Sequence, residues 1–519
     1  MIHRLILFYN QLSERQRLLL LLAVAFFLRL YVVLAAKGIA NDGACYGFMA
    51  RDFLEGDYVK GLALAFHPFY PLLIALITPD TAHVEIAGRL VSLIFGTLTL
   101  VPLYYLFKEA VGEKEAILGG LFYCFHPYLV TYSGMLLSEA TYWGLLTFSI
   151  YLFWIGLSRR RAFELLTSAA FLGMAYLTRP EGLGYLIVFL VWVVIYGGIQ
   201  KEWFRKTVWV CGLVVTFSIF CAPYMLHIRQ ETGRWLISKK AVESQVGYLS
   251  KEGVESQIRY FSSVEDKGDQ VKAGPTEGPP AVSTELRGFF YRLPFTAYAY
   301  LRAYYATLWI FLFFGLIRTA RRRGKGELFL ATLVLLHVVS LAAVIHSTER
   351  FSVPVVAFSL FWAGAGVGEL MAVLQRLRVS KPGSWVSSLV ILALLVQLPM
   401  SLKPVGQHRQ DQKKTGIWLK QNTPEGAVIM SNSPRQAFYA DREFIALPAR
   451  TSVPQGPGAV YRGVMDFARK NRVKYILVDG NTRDHNSDFF ESIRSTELME
   501  RYKHIDQRGN STVVYEVIY

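Results

Sequence analysis

Long apolar runs broken by short polar punctuation fill the first four hundred residues. A helix that crosses a bilayer needs about 20 mostly apolar residues. Eleven runs meet or approach that length, at about 18–36, 86–107, 116–131, 135–157, 162–178, 182–198, 207–226, 298–317, 328–345, 351–374 and 384–401. Only Arg179-Pro180-Glu181 separates the fifth from the sixth, which predicts a two-helix hairpin. A residue before proline is pushed away from helical backbone, so the turn is expected at Arg179.

Three longer segments lie between or after these runs: 37–85, 227–297 and 402–519. In the first, Tyr46, Met49, Phe53 and Leu54 recur at helical spacing with Arg51, Asp52 and Glu55 between them. That is the pattern of an amphipathic helix lying in a membrane interface. In the second, 264–286 is polar and rich in Gly and Pro and is expected to form no packed structure. From Tyr291 to Tyr305 the chain is aromatic, as at a membrane boundary. The third alternates short strand patterns (Ala427–Met430, Phe444–Leu447, Tyr475–Val478, Thr512–Ile518) with helical ones (around Ile417 and Trp418, Val460–Arg469, Phe489–Tyr502). Alternation of this kind predicts a small α/β domain. The expected organisation is an α-helical polytopic membrane domain over 1–401 and a soluble α/β domain over 402–519.

Composition agrees with the pattern. The chain is 53% hydrophobic and 18% charged, against about 25% charged in soluble domains. The net charge of +16 would suggest nucleic acid on a soluble chain. Here its placement matters more, because cytoplasmic loops collect Lys and Arg. With a cytoplasmic N-terminus, the inside segments hold nineteen Lys/Arg, from Arg4 through the Arg321-Arg322-Arg323 cluster to Lys381, and the short outside turns hold only Arg179 and Arg350. The bias sets the orientation and puts the C-terminal domain outside; no nucleic-acid partner is expected. The first run contains Arg29 and is longer than a typical signal core, so it reads as a retained anchor. Four cysteines make no disulfide framework.

Ionisable groups at membrane depth are costly and usually functional. Asp42, beside a glycine after the first span, suits either a general base on an acceptor hydroxyl or a cap for the amphipathic helix. Glu139, opening the fourth span, suits either a metal ligand or acceptor holder, or an ordinary first-turn acid. His67, in the stiff run Phe66-His67-Pro68-Phe69-Tyr70-Pro71, suits a metal, a phosphate or an interfacial anchor. Arg179 on its proline turn suits phosphate binding, or a local salt bridge to Glu181. His346, Glu349 and Arg350 offer another cation at the outer face, or plain loop charge. Arg29 is expected to snorkel outward rather than contact a substrate, and His126 and His227 to be packed or interfacial. Asp42, His67, Glu139, Arg179, His346 and Arg350 all fall on one side by the charge argument. Carboxylates and cations sharing an outer surface suit transfer chemistry on a phosphate-bearing lipid.

These segments resemble the GT-C glycosyltransferases, in particular the bacterial family 39 type related to protein O-mannosyltransferases and the aminoarabinose lipid A transferase. The likeness rests on Leu28-Arg29-Leu30-Tyr31 followed by Asp42, on His67-Pro68-Phe69-Tyr70-Pro71, on Leu137-Ser138-Glu139, on Leu177-Thr178-Arg179-Pro180-Glu181-Gly182, on Pro223-Tyr224 with Thr232-Gly233-Arg234, on Glu349-Arg350-Phe351-Ser352-Val353-Pro354, and on Trp418-Leu419 before Thr423-Pro424. The chain departs from the family at Glu139, where several relatives carry Asp, and at Phe69 and Phe351. The resemblance implies transfer of a sugar from a polyprenyl-phosphate donor to a membrane-associated acceptor (lipid, glycan or protein) outside the bacterial inner membrane. It implies Asp42 as the acceptor-activating base or an acceptor-orienting group, Glu139 as its assistant or a metal ligand, and Arg179 and Arg350 as holders of the lipid phosphate; His67, from its own reading, is the other candidate metal ligand. A divalent cation is a possible cofactor; no nucleotide is expected. A flippase for lipid-linked sugars and a ligase for whole glycans are the competing readings. Transporters place polar groups at the midplane in broken helices, whereas here they gather at one face.

Overall fold

The computed structural model describes residues 12–196, 198, 202–239, 282–344, 348–448, 459–479, 497–505 and 511–519. The chain divides into two compact units. One comprises Met1–Ala35, Ile86–Trp235 and Gly274–Pro404; the other comprises Ala36–Glu85, Leu236–Ala273 and Val405–Tyr519. The first-loop segment thus groups with the C-terminal tail.

This is a multi-pass, mostly helical membrane protein. Among the described residues, seven helices are long and apolar enough to cross a membrane: Glu14–Ala35, Thr81–Val111, Glu139–Arg159, Trp203–Thr232, Lys325–Ala343, Glu349–Arg376 and Pro382–Ser401. The hairpin helices Ala162–Thr178 and Gly182–Ile195 are shorter. The run at 116–131 forms two helices, Glu113–Phe125 and Pro127–Ser133, parted at His126. The run at 298–317 is not one straight span. Gly288–Tyr304 and Ala306–Arg322 meet at 83°, with Tyr305 between them at φ +71°. Positive φ is unusual for a bulky residue, and no Gly or Pro marks the break.

The helix Glu349–Arg376 is buried along most of its length. Glycine allows this. A Cβ on Gly366 would overlap the carbonyl of Phe311, and one on Gly364 would overlap that of Glu115. Small residues that let backbones approach are the usual packing device between helices in lipid, where apolar burial alone gives no preference. Arg29 corrects the snorkelling expectation. It is fully buried, donates to the carbonyls of Ala25 (3.1 Å) and Tyr123 (3.5 Å), and lies 4.7 Å from the centre of the Tyr123 ring.

In the second unit the amphipathic helix forms over Asn41–Leu54. The tail holds β1 (Val428–Ser431), β2 (Glu443–Ala446), β3 (Val473–Val478), β4 (Leu498–Ile505) and β5 (Ser511–Val517), in the order β2-β1-β3-β5-β4. β1 pairs parallel with β2 and β3, and β5 pairs antiparallel with β3 and β4. The helix expected over 489–502 is corrected at its end: residues 498–502 are strand, and 489–496 lie outside the described residues. Pairing with β5 and the stacking of Tyr502 on Trp418 (4.5 Å) outweigh local helical spacing. The helix Pro434–Ala440 was not foreseen. Its signals are ordinary ones: proline in the first turn and Ser433 as cap, accepting from the Arg435 amide.

Candidate functional site

Glu139, Arg179, Glu181 and Arg350 converge in the first unit. Glu139 opens the helix Glu139–Arg159, where the helix dipole favours a carboxylate. The preceding turn is fixed by Ser92, whose hydroxyl donates to the carbonyl of Leu137 (3.0 Å). Arg179 ends Ala162–Thr178 in extended backbone, as a residue before proline must. The chain then turns through Pro180 and Glu181 into Gly182, where a Cβ would stand 2.7 Å from the Tyr176 amide. Glycine is required there. Arg350 lies in the first turn of Glu349–Arg376.

The two arginines hold one carboxylate. Arg179 Nη1 donates to Glu139 Oε1 at 3.2 Å, and Arg350 Nε donates to the same oxygen at 2.5 Å. Arg179 also bridges to Glu181, with Nη2 2.9 Å and Nε 3.3 Å from its Oε1. Arg179 makes the local salt bridge to Glu181 and also reaches forty residues back to Glu139. Glu139 is fully buried, and its Oε2, like that of Glu181, is buried with no hydrogen-bond partner among the described residues. Burial alone would raise the Glu181 carboxyl, but the adjacent Arg179 more than offsets it and holds it at about 2. The four charges cancel.

Aromatic groups close one side. Phe351 and Tyr142 lie 5.8 and 5.9 Å from the Arg179 guanidinium. His337 Nε2 is 3.0 Å from the Phe351 carbonyl, which can only accept, so Nε2 carries a proton. In the neutral ring Nδ1 then accepts from the Tyr185 hydroxyl at 2.8 Å. His337 and Tyr185 were not singled out from sequence. The signal available was an ionisable residue inside an apolar run.

Glu349 pairs with Arg302 at 2.8 Å. His346 lies outside the described residues. His126 is fully buried between two helices, 6.1 Å from the Tyr305 ring, and His227 stands 3.2 Å from Glu231 one turn on.

Asp42 and His67 belong to the second unit. Asp42 is the second residue of its helix and half-buried; Ala40, without a side-chain bond, occupies the cap. His67 is buried before the helix Phe69–Ile77. Its neighbours Phe66 and Tyr70 meet the Tyr46 ring edge-on at 4.9 and 5.1 Å.

No group of three or more His, Cys, Asp or Glu converges among the described residues. Two guanidiniums already contact Glu139, and a dication beside them would be repelled.

The family profile described as dolichyl-phosphate-mannose-protein mannosyltransferase matches residues 66–227. ArnT from Cupriavidus metallidurans bound to undecaprenyl phosphate superposes with a TM-score of 0.59 at 13% identity, over 97% of this chain and 98% of that one. The fold is that of ArnT. Its apo form gives 0.58 at 14% identity, covering 96% and 97%. The archaeal oligosaccharyltransferase AglB from Archaeoglobus fulgidus, in complex with an inhibitory peptide and a dolichol-phosphate, gives 0.58 at 12% identity, covering 96% of this chain and 74% of its own. No curated protein matches the chain significantly. The ArnT-like fold and the mannosyltransferase profile support a resemblance to the GT-C membrane glycosyltransferases.

Proposed function

We propose that this protein transfers a sugar from a polyprenyl-phosphate-linked donor to a membrane-associated acceptor, at the outer face of a bacterial inner membrane and with its N-terminus in the cytoplasm. The observation that carries the reading is the meeting of Arg179 and Arg350 on one buried anion at a membrane-helix end. Two guanidiniums that grip a carboxylate are suited to a lipid phosphate. In the reaction, Asp42 takes the proton of the acceptor hydroxyl. The acceptor oxygen bonds to the anomeric carbon as the bond from that carbon to the phosphate oxygen breaks. The phosphate leaves with the electron pair, and Arg179 and Arg350 stabilise its growing charge, most effectively where water is excluded. Glu139 holds the arginines in place until the phosphate arrives, Glu181 orients Arg179, and no step runs through a metal. His67 and His346 act as substrate-side groups. Asp42→Asn tests the assignment: sugar transfer from host donor lipid should stop while undecaprenyl phosphate still binds. Normal turnover by that variant would remove Asp42 from the mechanism.

A further inference from the structure

The segment carrying Asp42 is tied down on both sides by the tail of its own unit. Before it, the Lys37 amide donates to the Val405 carbonyl (2.9 Å) and the Ile39 amide to the Tyr439 hydroxyl (3.1 Å). After it, Gly47 lies so close to the Phe438 ring that a Cβ would overlap it. Arg51 donates to the Phe438 carbonyl (3.0 Å), pairs with Asp441 (3.0 Å) and sits 4.2 Å from the Phe438 ring centre. The tightest tie falls on the residue next to Asp42. The Asn41 side-chain oxygen accepts from Arg435 Nε at 2.6 Å and from the Ser433 hydroxyl at 3.0 Å. Arg435 is itself buried, and its Nη1 donates to Gln412 Oε1 at 2.6 Å. A buried guanidinium costs free energy unless its donors are met. This one meets an amide on the helix start and an amide on the tail helix Gln410–Asn422, so it joins two elements rather than filling space.

We propose that Arg435 is a positioning residue for the transfer reaction: through Asn41 it fixes the first turn of the helix Asn41–Leu54 and with it the Asp42 carboxylate. The inference rests on the reading of Asp42 as the base. A base must lie within hydrogen-bond reach of the proton it takes, and displacement of about 1 Å costs about a hundredfold in rate. The tail's short helix Pro434–Ala440 then serves catalysis without touching substrate.

The test uses the full-length protein in nanodiscs, with host membrane extract supplying donor and acceptor. Four variants are compared: Arg435→Met, Asn41→Leu, the pair together, and Asn41→Asp, which keeps an oxygen for Arg435. Three quantities are read: kcat, the Kd for undecaprenyl phosphate, and amide hydrogen exchange over 41–48. Arg435→Met and Asn41→Leu should each lower kcat about tenfold to a hundredfold, leave the Kd unchanged, and speed exchange over 41–48. The double variant should be no slower than the worse single one, and Asn41→Asp should keep most of the rate. Additive losses, a parallel loss of lipid binding, or unchanged kcat would overturn the proposal. Asp42→Asn is run alongside. Normal turnover there would end the base reading alone, and unchanged exchange in Arg435→Met would end the positioning role alone.

Discussion

Glu139→Gln isolates the charge that the two arginines share. The substitution keeps the volume and one acceptor oxygen and removes a negative charge from a cluster that sums to zero. Glu139 accepts two charge-assisted hydrogen bonds, at 3.2 Å from Arg179 and 2.5 Å from Arg350, while fully buried. Hydrogen bonds to charged groups contribute about 1.5–3 kcal/mol each. A neutral carboxamide retains part of this, so the loss of stability should be about 2–4 kcal/mol, near the lower end of what breaking a buried ion pair costs. The effect on phosphate should run the other way. On the proposed reading an incoming phosphate competes with Glu139 for both guanidiniums in the wild type, whereas in the variant the cluster carries a net positive charge. Affinity for undecaprenyl phosphate should rise by about tenfold, or about 1.4 kcal/mol. Thermal unfolding in detergent reads the first quantity and equilibrium binding of radiolabelled undecaprenyl phosphate the second. A variant that melts lower yet binds the lipid no more tightly would refute the idea that Glu139 and phosphate compete for the same arginines.

Further outcomes follow from the same geometry. Glu181, held at about 2 beside Arg179, has a folded value below the ordinary 4.5. Its contribution is present above the unfolded value and lost as pH falls towards 2, so acid unfolding of Arg179→Met should begin at higher pH than that of the wild type, and identical acid midpoints would contradict the pairing. Gly366→Val forces a side chain into the Phe311 carbonyl; overpacking typically costs about 1–3 kcal/mol, and a melting curve matching the wild type would show that the two helices can part freely.

Much of the membrane architecture was legible because bilayer thickness imposes a length on apolar runs: among the described residues every run falls largely in helix, although only seven helices reach spanning length and the runs at 116–131 and 298–317 are broken. The Arg179-Pro180-Glu181 turn was legible for a local reason, the backbone restriction before proline. What failed was set by distant partners. Arg29 finds a carbonyl at Tyr123, ninety-four residues on, and so has no need of the interface. The bend at Tyr305 carries no Gly or Pro signal. Residues 498–502 become strand only by pairing with β5. The same holds for the site. Glu181 is two residues from Arg179 and could be paired on paper, whereas Glu139 and Arg350 are 211 residues apart and meet only when the helices pack. Asn41 and Arg435 are separated by 394 residues, and neither has a local pattern that marks it.

The proposed reaction consumes lipid-linked sugar rather than carrying it. It is tested most directly by incubating the purified protein in nanodiscs with host polyprenyl-phosphate sugar and membrane extract, and following free polyprenyl phosphate and glycosylated acceptor together by mass spectrometry. One polyprenyl phosphate should appear for each sugar transferred, with both products absent for Asp42→Asn. Donor lipid that stays intact while the protein binds it would contradict the account and point instead to a carrier of lipid-linked sugars.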